Sequence, residues 1–309
     1  MNILVFGKDG QLGRAFRNQL ERPQFQKGNV FQYIGRQECD LTDPRQITSL
    51  LHAFNPQLII NAAAYTAVDK AETESEIAFA INKTAPELMA QYAAQHDATV
   101  LHFSTDYVFD GTKFGAYTEL DQTNPLSVYG KSKVAGELAI TNAFANNTNG
   151  QYAILRTSWL YGDGNNFIRI ILALAKEQAD LLIANDQYGA PTSACWLAEV
   201  SCNLVINEAG GIRRFISGIY HAVPRGQTTR YALAYQVVKL AMDFGVPLQT
   251  NLASIKAIRS SEYRSKALRP MNSSFSIQKL QLEFERLGVL LELPHWNEQV
   301  NYYVGRLIR

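Results

Sequence analysis

The sequence predicts an α/β fold, with a doubly wound parallel sheet followed by a smaller, irregular α/β region at the carboxyl terminus. Two observations predict it. In the first half, short apolar runs alternate with longer amphipathic stretches, which is the order of strands and helices in a parallel sheet covered on both faces. After about Arg156 the helical stretches are separated by long loops rich in Gly, Pro, Ser and Asn, which are typical of irregular structure.

Five apolar runs in the first half are the predicted strands: Asn2–Phe6, Val30–Ile34 and residues 57–60, 99–103 and 152–155. The helices predicted between them are Gln11–Leu20, Pro44–Phe54 and residues 75–95 and 128–145. Pro44 suits the first turn of its helix, with Thr42 or Asp43 as the cap. The second half contains predicted helices at residues 166–176, 195–207, 229–244 and 276–284, and a candidate further strand of the main sheet at Leu181–Ala184.

These elements divide the chain into two predicted domains. Residues 1–155 form the domain expected to bind a dinucleotide, and residues 156–309 form mainly a substrate domain. A segment near residues 181–210 is a candidate to return to the first domain. No internal repeat or low-complexity tract marks a linker between them.

Composition excludes several functional classes. The 29 Lys and Arg residues nearly balance the 28 Asp and Glu residues, so the net charge of +1 provides no global attraction for nucleic acid or a membrane surface. No apolar run approaches the ~20 residues that span a bilayer, and no basic leader with a cleavage site opens the chain. Three cysteines without a CxxC spacing indicate a reduced chain. We therefore expect a cytoplasmic protein without a metal.

Glycines follow the first predicted strand at a regular spacing. Residues 7–13 read GKDGQLG, which is GxxGxxG directly before the first helix. Glycine permits the tight bend, the close approach of a pyrophosphate and the packing of helix on strand, while the helix amino terminus offers N–H groups to the phosphates. The position of this turn favours such a site over a turn without a ligand. A Rossmann-like dinucleotide site is therefore predicted at Gly7, Gly10, Gln11, Leu12 and Gly13.

The ends of the next two strands bear on the choice of nicotinamide cofactor. The second strand of such a sheet usually ends in a carboxylate that binds the adenosine ribose, but Arg36 stands here. If Arg36 faces a 2′-phosphate, the cofactor is NADPH; if it is only a solvated surface side chain, NADH is the alternative. Ala62, Ala63 and Ala64 leave the third strand as small residues, which suit close passage of the cofactor or a plain tight turn.

Tyr129 and Lys133 lie four residues apart at the start of a predicted helix, so both side chains face the same way. A lysine ammonium beside a tyrosine favours the phenolate and lowers a pKa that is ordinarily ~10. Thr105, at the end of the fourth strand, lies where doubly wound sheets bind ligands and can hydrogen-bond a substrate carbonyl. The YxxxK spacing alone occurs by chance in many helices. After a glycine turn and a strand-end threonine, it predicts a dehydrogenase or reductase.

The chain resembles the extended short-chain dehydrogenase/reductase family nearly from end to end, and within it the reductases of nucleotide-linked 4-keto-6-deoxysugars. The resemblance rests on GKDGQLG (7–13), NAAAYTAVDKAE (61–72), STDYVFDG (104–111), VYGKSKVAGE (128–137), RTSWLYG (156–162), GNNF (164–167) and NDQYGAPT (185–192). The combination of STDYVFDG, RTSWLYG and DQYGAPT is specific to those reductases, whereas the glycine turn and YxxxK define only the superfamily. The resemblance implies reduction of the C4 keto group of such a sugar by NAD(P)H.

The resemblance also implies roles for residues of the catalytic centre. Tyr129 is expected to be the proton donor and Lys133 its partner. Thr105 is expected to tune the substrate carbonyl, with Asp106 beside it. Trp159 is expected to line the sugar–nucleotide pocket, for which the alternative is a large core aromatic.

The resemblance also implies roles for residues outside the catalytic centre. Asp40 and Leu41 match the place where related chains contact the adenine. Asn166 is expected to touch the ligand or to cap a helix. Asn82 orders the catalytic helix or forms a simple cap or turn, and Arg269 meets a phosphate or is solvated.

The sequence departs from some relatives in a feature that bears on assembly. Those relatives are dimers bridged by a divalent metal, through glutamates near the first helix and just after the GAPT segment. Residues 14–16 and 193–195 contain no carboxylate here. We therefore expect a monomer or a weak homodimer, without a bridging metal.

Three other functions stay open at this point. A sugar-nucleotide 4,6-dehydratase of this superfamily usually carries Asp-Glu after the strand-end threonine, whereas Tyr107 follows Asp106 here, which favours simple reduction. A related reductase that forms another epimer differs only in the face of hydride attack. A non-catalytic NADP-binding regulatory subunit, like the beta subunit of methionine adenosyltransferase, shares the fold and several motifs, but the intact Thr105, Tyr129 and Lys133 favour an enzyme.

Overall fold

The computed structural model describes residues 1–146, 149–262 and 266–308. The strands are β1 (Asn2–Phe6), β2 (Val30–Ile34), β3 (Leu58–Asn61), β4 (Thr99–Thr105), β5 (Gln151–Thr157), β6 (Leu160–Tyr161), β7 (Leu181–Ala184), β8 (Tyr188–Gly189), β9 (Thr192–Ser193), β10 (Gly218–His221), β11 (Thr228–Thr229) and β12 (Ile255–Ile258). The helices are α1 (Gln11–Leu20), α2 (Pro44–Phe54), α3 (Val68–Ala71), α4 (Ser75–Phe79), α5 (Ala85–Gln95), α6 (Val128–Ala143), α7 (Phe167–Glu177), α8 (Ala194–Val205), α9 (Arg230–Asp243), α10 (Gln278–Leu287) and α11 (Trp296–Ile308).

The main sheet has six parallel strands in the order β2-β1-β3-β4-β5-β10. The direction in which successive strands are added reverses between β1 and β3, and ligands of open α/β sheets bind at such a switch point, beyond the carboxyl ends of the strands. In the register, Phe6 lies opposite both Ile34 and Asn61. The segments that follow β1, β2 and β3 therefore emerge side by side at one edge of the sheet.

Alternating side chains of the strands enter two separate apolar layers, because successive residues of a strand point to opposite faces. Ile3 and Val5 of β1 pack with α1, α8 and α10 on one face. Leu4 and Phe6 pack with α2, α5 and α6 on the other. Burial on both faces explains why the strands are nearly continuous apolar runs.

The predicted fold class is confirmed. The five predicted strands are present, and β1, β2, α1 and α2 have the predicted bounds. Asp43 is the cap of α2, since its side chain accepts a hydrogen bond from the N–H of Arg45 (2.9 Å), and Pro44 takes the first helical position.

Several elements differ from prediction. Leu181–Ala184 is a strand, but it pairs with β12 in a separate two-stranded parallel sheet rather than with the main sheet. The helix predicted at residues 75–95 is interrupted by a π-helical turn at Ala80–Thr84. Strand β10, which the sequence analysis did not identify, forms the sixth strand beside β5.

The second half contributes to two different cores. Its helices α8 and α10 pack on the main sheet, whereas α7, α9 and α11 enclose a third apolar cluster with β7 and β12. Over the described ranges, no helix is long and apolar enough to cross a membrane. The same ranges contain no group of three His, Cys, Asp or Glu side chains placed to hold a metal ion.

Candidate active site

A cavity of about 880 Å³ opens beyond the carboxyl ends of the sheet strands, at the switch point. Most of the predicted site residues line it. They are Gly7, Gly10, Gln11, Leu12, Arg36, Asp40, Leu41, Ala62, Ala63, Ala64, Thr105, Asp106, Tyr129, Lys133 and Trp159.

The glycine turn is shaped so that no side chain fits within it. Gly7 has a φ of +85°, and a Cβ there would lie 2.7 Å from the backbone of Ala62 and Ala63. A Cβ on Gly13 would lie 2.0 Å from the Gly7 carbonyl oxygen, so glycine at this position lets α1 pack closely against the turn. Gly13 itself does not line the cavity. The N-cap of α1 is Gly10, and no side chain in the described ranges caps this helix. Its free N–H groups and positive dipole end therefore suit a pyrophosphate.

The end of β2 presents Arg36 at the cavity. Arg36 is exposed, and its side chain makes no hydrogen bond or ion pair with any residue in the described ranges. Sequence reasoning missed a nearby carboxylate, Glu38, which accepts a hydrogen bond from the Gly35 N–H (2.8 Å) and pairs with Lys8. The hydrogen bond from Lys8 holds the pKa of Glu38 below its ordinary value. Because Glu38 is engaged, Arg36 is the group available to an anion.

Asp40 and Leu41 line the same end of the cavity but are held in different ways. One Asp40 carboxylate oxygen accepts hydrogen bonds from the N–H (2.9 Å) and hydroxyl (2.8 Å) of Thr42, which closes a short turn. Leu41 packs against the apolar layer of α2. The Asp40 carboxylate thus has a structural role in shaping this wall.

Thr105 and Tyr129 meet at the centre of the cavity. Thr105 ends β4; its hydroxyl donates to Asp106 (3.0 Å) and accepts from the N–H of Tyr107 (3.2 Å). Tyr129 lies in the first turn of α6, behind the N-cap Ser127, and is 8% exposed. Burial raises the pKa of the Tyr129 phenol, and its hydrogen bond with Thr105 opposes that rise.

Lys133 is 1% exposed and is held by groups of β4. Its ammonium Nζ donates to the carbonyl oxygen of Phe103 (2.6 Å) and lies 3.0 Å from Nε2 of His102. Burial lowers the pKa of Lys133 to about 8, against the opposing charge of Glu137. Burial of the phenol is the largest influence on the Tyr129 pKa in this geometry, and the lowering of that pKa by Lys133 stays a prediction.

Two buried contacts fix the helix that carries Tyr129 and Lys133. In the π-helical turn, the Asn82 amide donates to the Ser132 hydroxyl (2.9 Å) and the Tyr65 carbonyl (3.0 Å). Arg156 of β5 forms a buried, two-bonded ion pair with Glu137 of α6, at 2.7 and 2.9 Å. Sequence reasoning did not assign Arg156 or Glu137. Glu137 stands four residues after Lys133 on the same helix, which was the available signal.

The far end of the cavity is built around Trp159. Its φ of +46° is the left-handed region, which is strained for a bulky side chain and typical of functional positions. A Cβ on Gly189 would lie 2.6 Å from the indole, so glycine there leaves room for the ring. The guanidinium of Arg230 stacks 3.8 Å from the ring centroid. Sequence reasoning missed Arg230.

Asp106 is buried beside this end. It accepts hydrogen bonds from the hydroxyls of Thr105 and Ser273, and burial raises its pKa. Arg269 reaches the same region, where it pairs with Asp69 at 2.9 Å.

Asn166 does not line the cavity, contrary to the expectation that it touches the ligand. It is the N-cap of α7, since its side-chain oxygen accepts from the N–H of Arg169 (3.1 Å). Its amide nitrogen lies within hydrogen-bond distance of the carbonyls of Gly162 (2.8 Å) and Gly164 (3.1 Å) and the hydroxyl of Tyr303 (2.9 Å). With its polar atoms so engaged, the alternative role as a helix cap is the one observed.

A parallel sheet with a glycine turn at its switch point, and a Tyr–Lys pair on the helix beside it, define a member of the short-chain dehydrogenase/reductase superfamily. A sequence model of the family described as RmlD substrate binding domain matches residues 1–308. The dTDP-4-dehydrorhamnose reductase of Escherichia coli K12 is 39% identical over 99% of this chain and 98% of its own length. That of Salmonella typhimurium LT2 is 40% identical over 96% and 94%.

Solved structures give the same result. A dTDP-4-dehydrorhamnose reductase from Clostridium acetobutylicum superposes with a TM-score of 0.86 and 32% identity, covering 100% of both chains. One from Bacillus anthracis, in complex with NADP, superposes with a TM-score of 0.84 and 28% identity, covering 99% of both. The chain therefore belongs to the RmlD family, to which the resemblance of its motifs also pointed.

Proposed function

We propose that this chain is a dTDP-4-dehydrorhamnose reductase, which reduces the C4 keto group of dTDP-4-dehydro-L-rhamnose with NADPH to form dTDP-L-rhamnose, a precursor of cell-surface polysaccharide. The convergence of Thr105, Tyr129 and Lys133 with the glycine turn on one cavity carries this proposal. Membership of the RmlD family, whose named relatives are dTDP-4-dehydrorhamnose reductases, supports the substrate.

In this reaction the bound cofactor supplies the hydride that adds to C4. Tyr129 transfers its phenolic proton to the carbonyl oxygen, so that C=O becomes CH–OH, and the phenolate then regains a proton from solvent. The raised pKa of Tyr129 keeps the phenol protonated at neutral pH. Thr105 turns its hydroxyl from Asp106 towards the same oxygen and stabilises the charge that develops there.

The cofactor is held by the glycine turn, the Ala62–Ala63–Ala64 run and Lys133. Arg36, which is free of protein partners in the described ranges, favours NADPH by facing the 2′-phosphate, with NADH as the weaker alternative. The NADP bound to the Bacillus anthracis relative is consistent with this choice. Asp106 and Trp159 bind the sugar end of the substrate.

The remaining sequence-based expectations belong to the same proposal. The enzyme works in the cytoplasm, as a monomer or weak homodimer without a bridging metal. Residues 1–155 form mainly the cofactor domain and residues 156–309 mainly the substrate domain, with α8 packed on the sheet of the first.

The test follows NADPH and NADH oxidation with dTDP-4-dehydrorhamnose generated in place, for the native chain and for Tyr129→Phe. We expect the native chain to oxidise NADPH and the variant to lose kcat by about 10²- to 10⁴-fold, since it lacks the acid. NADPH binding, measured separately, should be equal in both, because the ring stays in place. Analysis of the product sugar distinguishes rhamnose from another epimer.

Failure of the native chain to oxidise either cofactor, although it binds them, would contradict the substrate assignment. That result would favour the NADP-binding regulatory subunit instead. Full activity of Tyr129→Phe would contradict the role of Tyr129 alone.

A further inference from the structure

Arg230 is a charged side chain at the cavity wall that has no ion-pair partner among the described residues. It is the first residue of α9 and is partly buried. Within the described part of the chain, its guanidinium makes no hydrogen bond and has no carboxylate within ion-pair distance. Burial lowers the pKa of Arg230 to about 10, so it stays protonated at neutral pH. A cation held partly out of water without a counter-charge is costly, and such sites are usually completed by an anion.

The guanidinium is fixed in place by aromatic rings. It stacks on the indole of Trp159 at 3.8 Å and lies 4.9 Å from the ring centroid of Phe167. Stacking holds the plane of the guanidinium and leaves its N–H groups free to bind. Trp159 is itself held by a strained backbone and by the room that Gly189 provides. Arg230 is therefore oriented before any ligand arrives.

The nearby charged groups do not neutralise Arg230. The charge of Asp106 acts on it, but that carboxylate already accepts hydrogen bonds from the hydroxyls of Thr105 and Ser273. Arg269, whose charge also acts on Arg230, is paired with Asp69. Of these four charged side chains, Arg230 and Asp106 line the cavity, whereas Arg269 and Asp69 pair with each other. Among the described residues, none forms a hydrogen bond or an ion pair with the guanidinium of Arg230.

We propose that Arg230, stacked on Trp159, binds the diphosphate of the nucleotide sugar. A planar guanidinium matches the two oxygens of a phosphate group in a bidentate hydrogen bond. The cofactor phosphates belong at the amino terminus of α1, so the sugar nucleotide is the remaining anionic ligand of this cavity. This inference rests on the proposed function, whose substrate carries a diphosphate.

Calorimetric titration of the full chain with dTDP, dTMP and thymidine tests the inference. In Arg230→Gln we expect the Kd for dTDP to rise by about 10- to 100-fold, the usual effect of losing a hydrogen bond to a charged group. The Kd for thymidine should change by less than about threefold, because thymidine lacks the phosphates. Arg230→Lys keeps the positive charge but loses the planar guanidinium that can form two parallel hydrogen bonds. Its Kd for dTDP should lie between those of the native chain and Arg230→Gln. Lys239→Gln removes one positive charge from the exposed side of the same helix and should match the native chain.

A native-like Kd for dTDP in Arg230→Gln would overturn the inference, as would an equal loss for dTDP and thymidine, which would mean that Arg230 only supports Trp159. Unchanged NADPH binding shows that the variant is folded. If it is not, Arg230→Lys decides the matter, because a native-like Kd for dTDP there would contradict bidentate binding. A native chain that binds dTDP through Arg230 but does not turn over the keto sugar would overturn the proposed function and leave the phosphate site supported.

Discussion

The two ends of the cavity are built from different parts of the chain. At the cofactor end, backbone forms the surface: Gly7 and Gly13 leave no room for a Cβ, and helix α1 offers uncapped N–H groups. At the sugar end, side chains form the surface: Trp159, Arg230 and Asp106 come from three separate segments. The glycine turn of the first end lies within seven consecutive residues, whereas the three side chains of the second come together only in the folded chain.

The difference separates two sources of specificity. A surface of backbone N–H groups accepts any pyrophosphate of the right shape, which is why a glycine turn defines only a superfamily. A surface of oriented side chains selects one ligand, and here the orientation depends on a strained Trp159 and on the space left by Gly189. Tyr129 and Lys133 of helix α6 line the same cavity as both sets of residues, so they can act on the cofactor and on the substrate.

Replacing Lys133 should produce the largest effect. We expect Lys133→Met to lower kcat by about a thousandfold, because the ammonium that holds the cofactor and supports Tyr129 is lost. The same variant should unfold less easily at pH about 7, by on the order of 1 kcal/mol, since the cost of a buried charge is removed but the contacts with Phe103 and His102 are lost with it. Urea unfolding and steady-state rates measure the two effects.

The pH dependence of that stability difference follows from the pKa of Lys133, which burial lowers from 10.5 to about 8 in the folded chain. Between these values the unfolded chain binds more protons than the folded one, so the contribution of Lys133 to stability becomes more favourable as the pH rises. The advantage of Lys133→Met should therefore be complete below pH 8 and should disappear as the pH approaches 10.5. An advantage that stays constant across this range would contradict burial as its cause.

Replacing Gly189 should affect the sugar end alone. In Gly189→Ala the new Cβ would lie 2.6 Å from the Trp159 indole, so the ring must move. We expect KM for the sugar nucleotide to rise by about tenfold, as when one well-placed contact is lost, while the Kd for NADPH stays unchanged. Gly211→Ala is the matched control, because the nearest atom to its Cβ would be 3.4 Å away. Weaker NADPH binding in Gly189→Ala would show that the two ends are not independent.

Sequence reasoning predicts residues in local motifs well, and it fails for residues that meet only in the folded chain. Thr105, Tyr129 and Lys133 lie in local motifs, and the structure brings them together at one cavity. Asn166 was expected at the ligand because an asparagine before a helix has the same local pattern whether it caps the helix or binds a substrate. Nothing in the sequence indicated that Arg230 belongs to the site, because Trp159, on which it stacks, is far away in the chain and contacts it only after folding. Likewise, the apolar pattern of Leu181–Ala184 predicts a strand but not the neighbour, β12, with which it pairs.

The smallest expected effect concerns Arg36, whose side chain lies at the cofactor end of the cavity, where most of the surface is backbone. We expect Arg36→Gln to raise the Kd for NADPH by about fivefold and to leave the Kd for NADH unchanged, because only NADPH carries the 2′-phosphate. Since Arg36 is exposed, added salt should weaken NADPH binding to the native chain more than to the variant. Arg45→Gln removes another exposed charge, from the neighbouring helix α2, and is the control. Equal losses for the two cofactors would mean that Arg36 does not contact the 2′-phosphate, and that the backbone alone determines binding at this end.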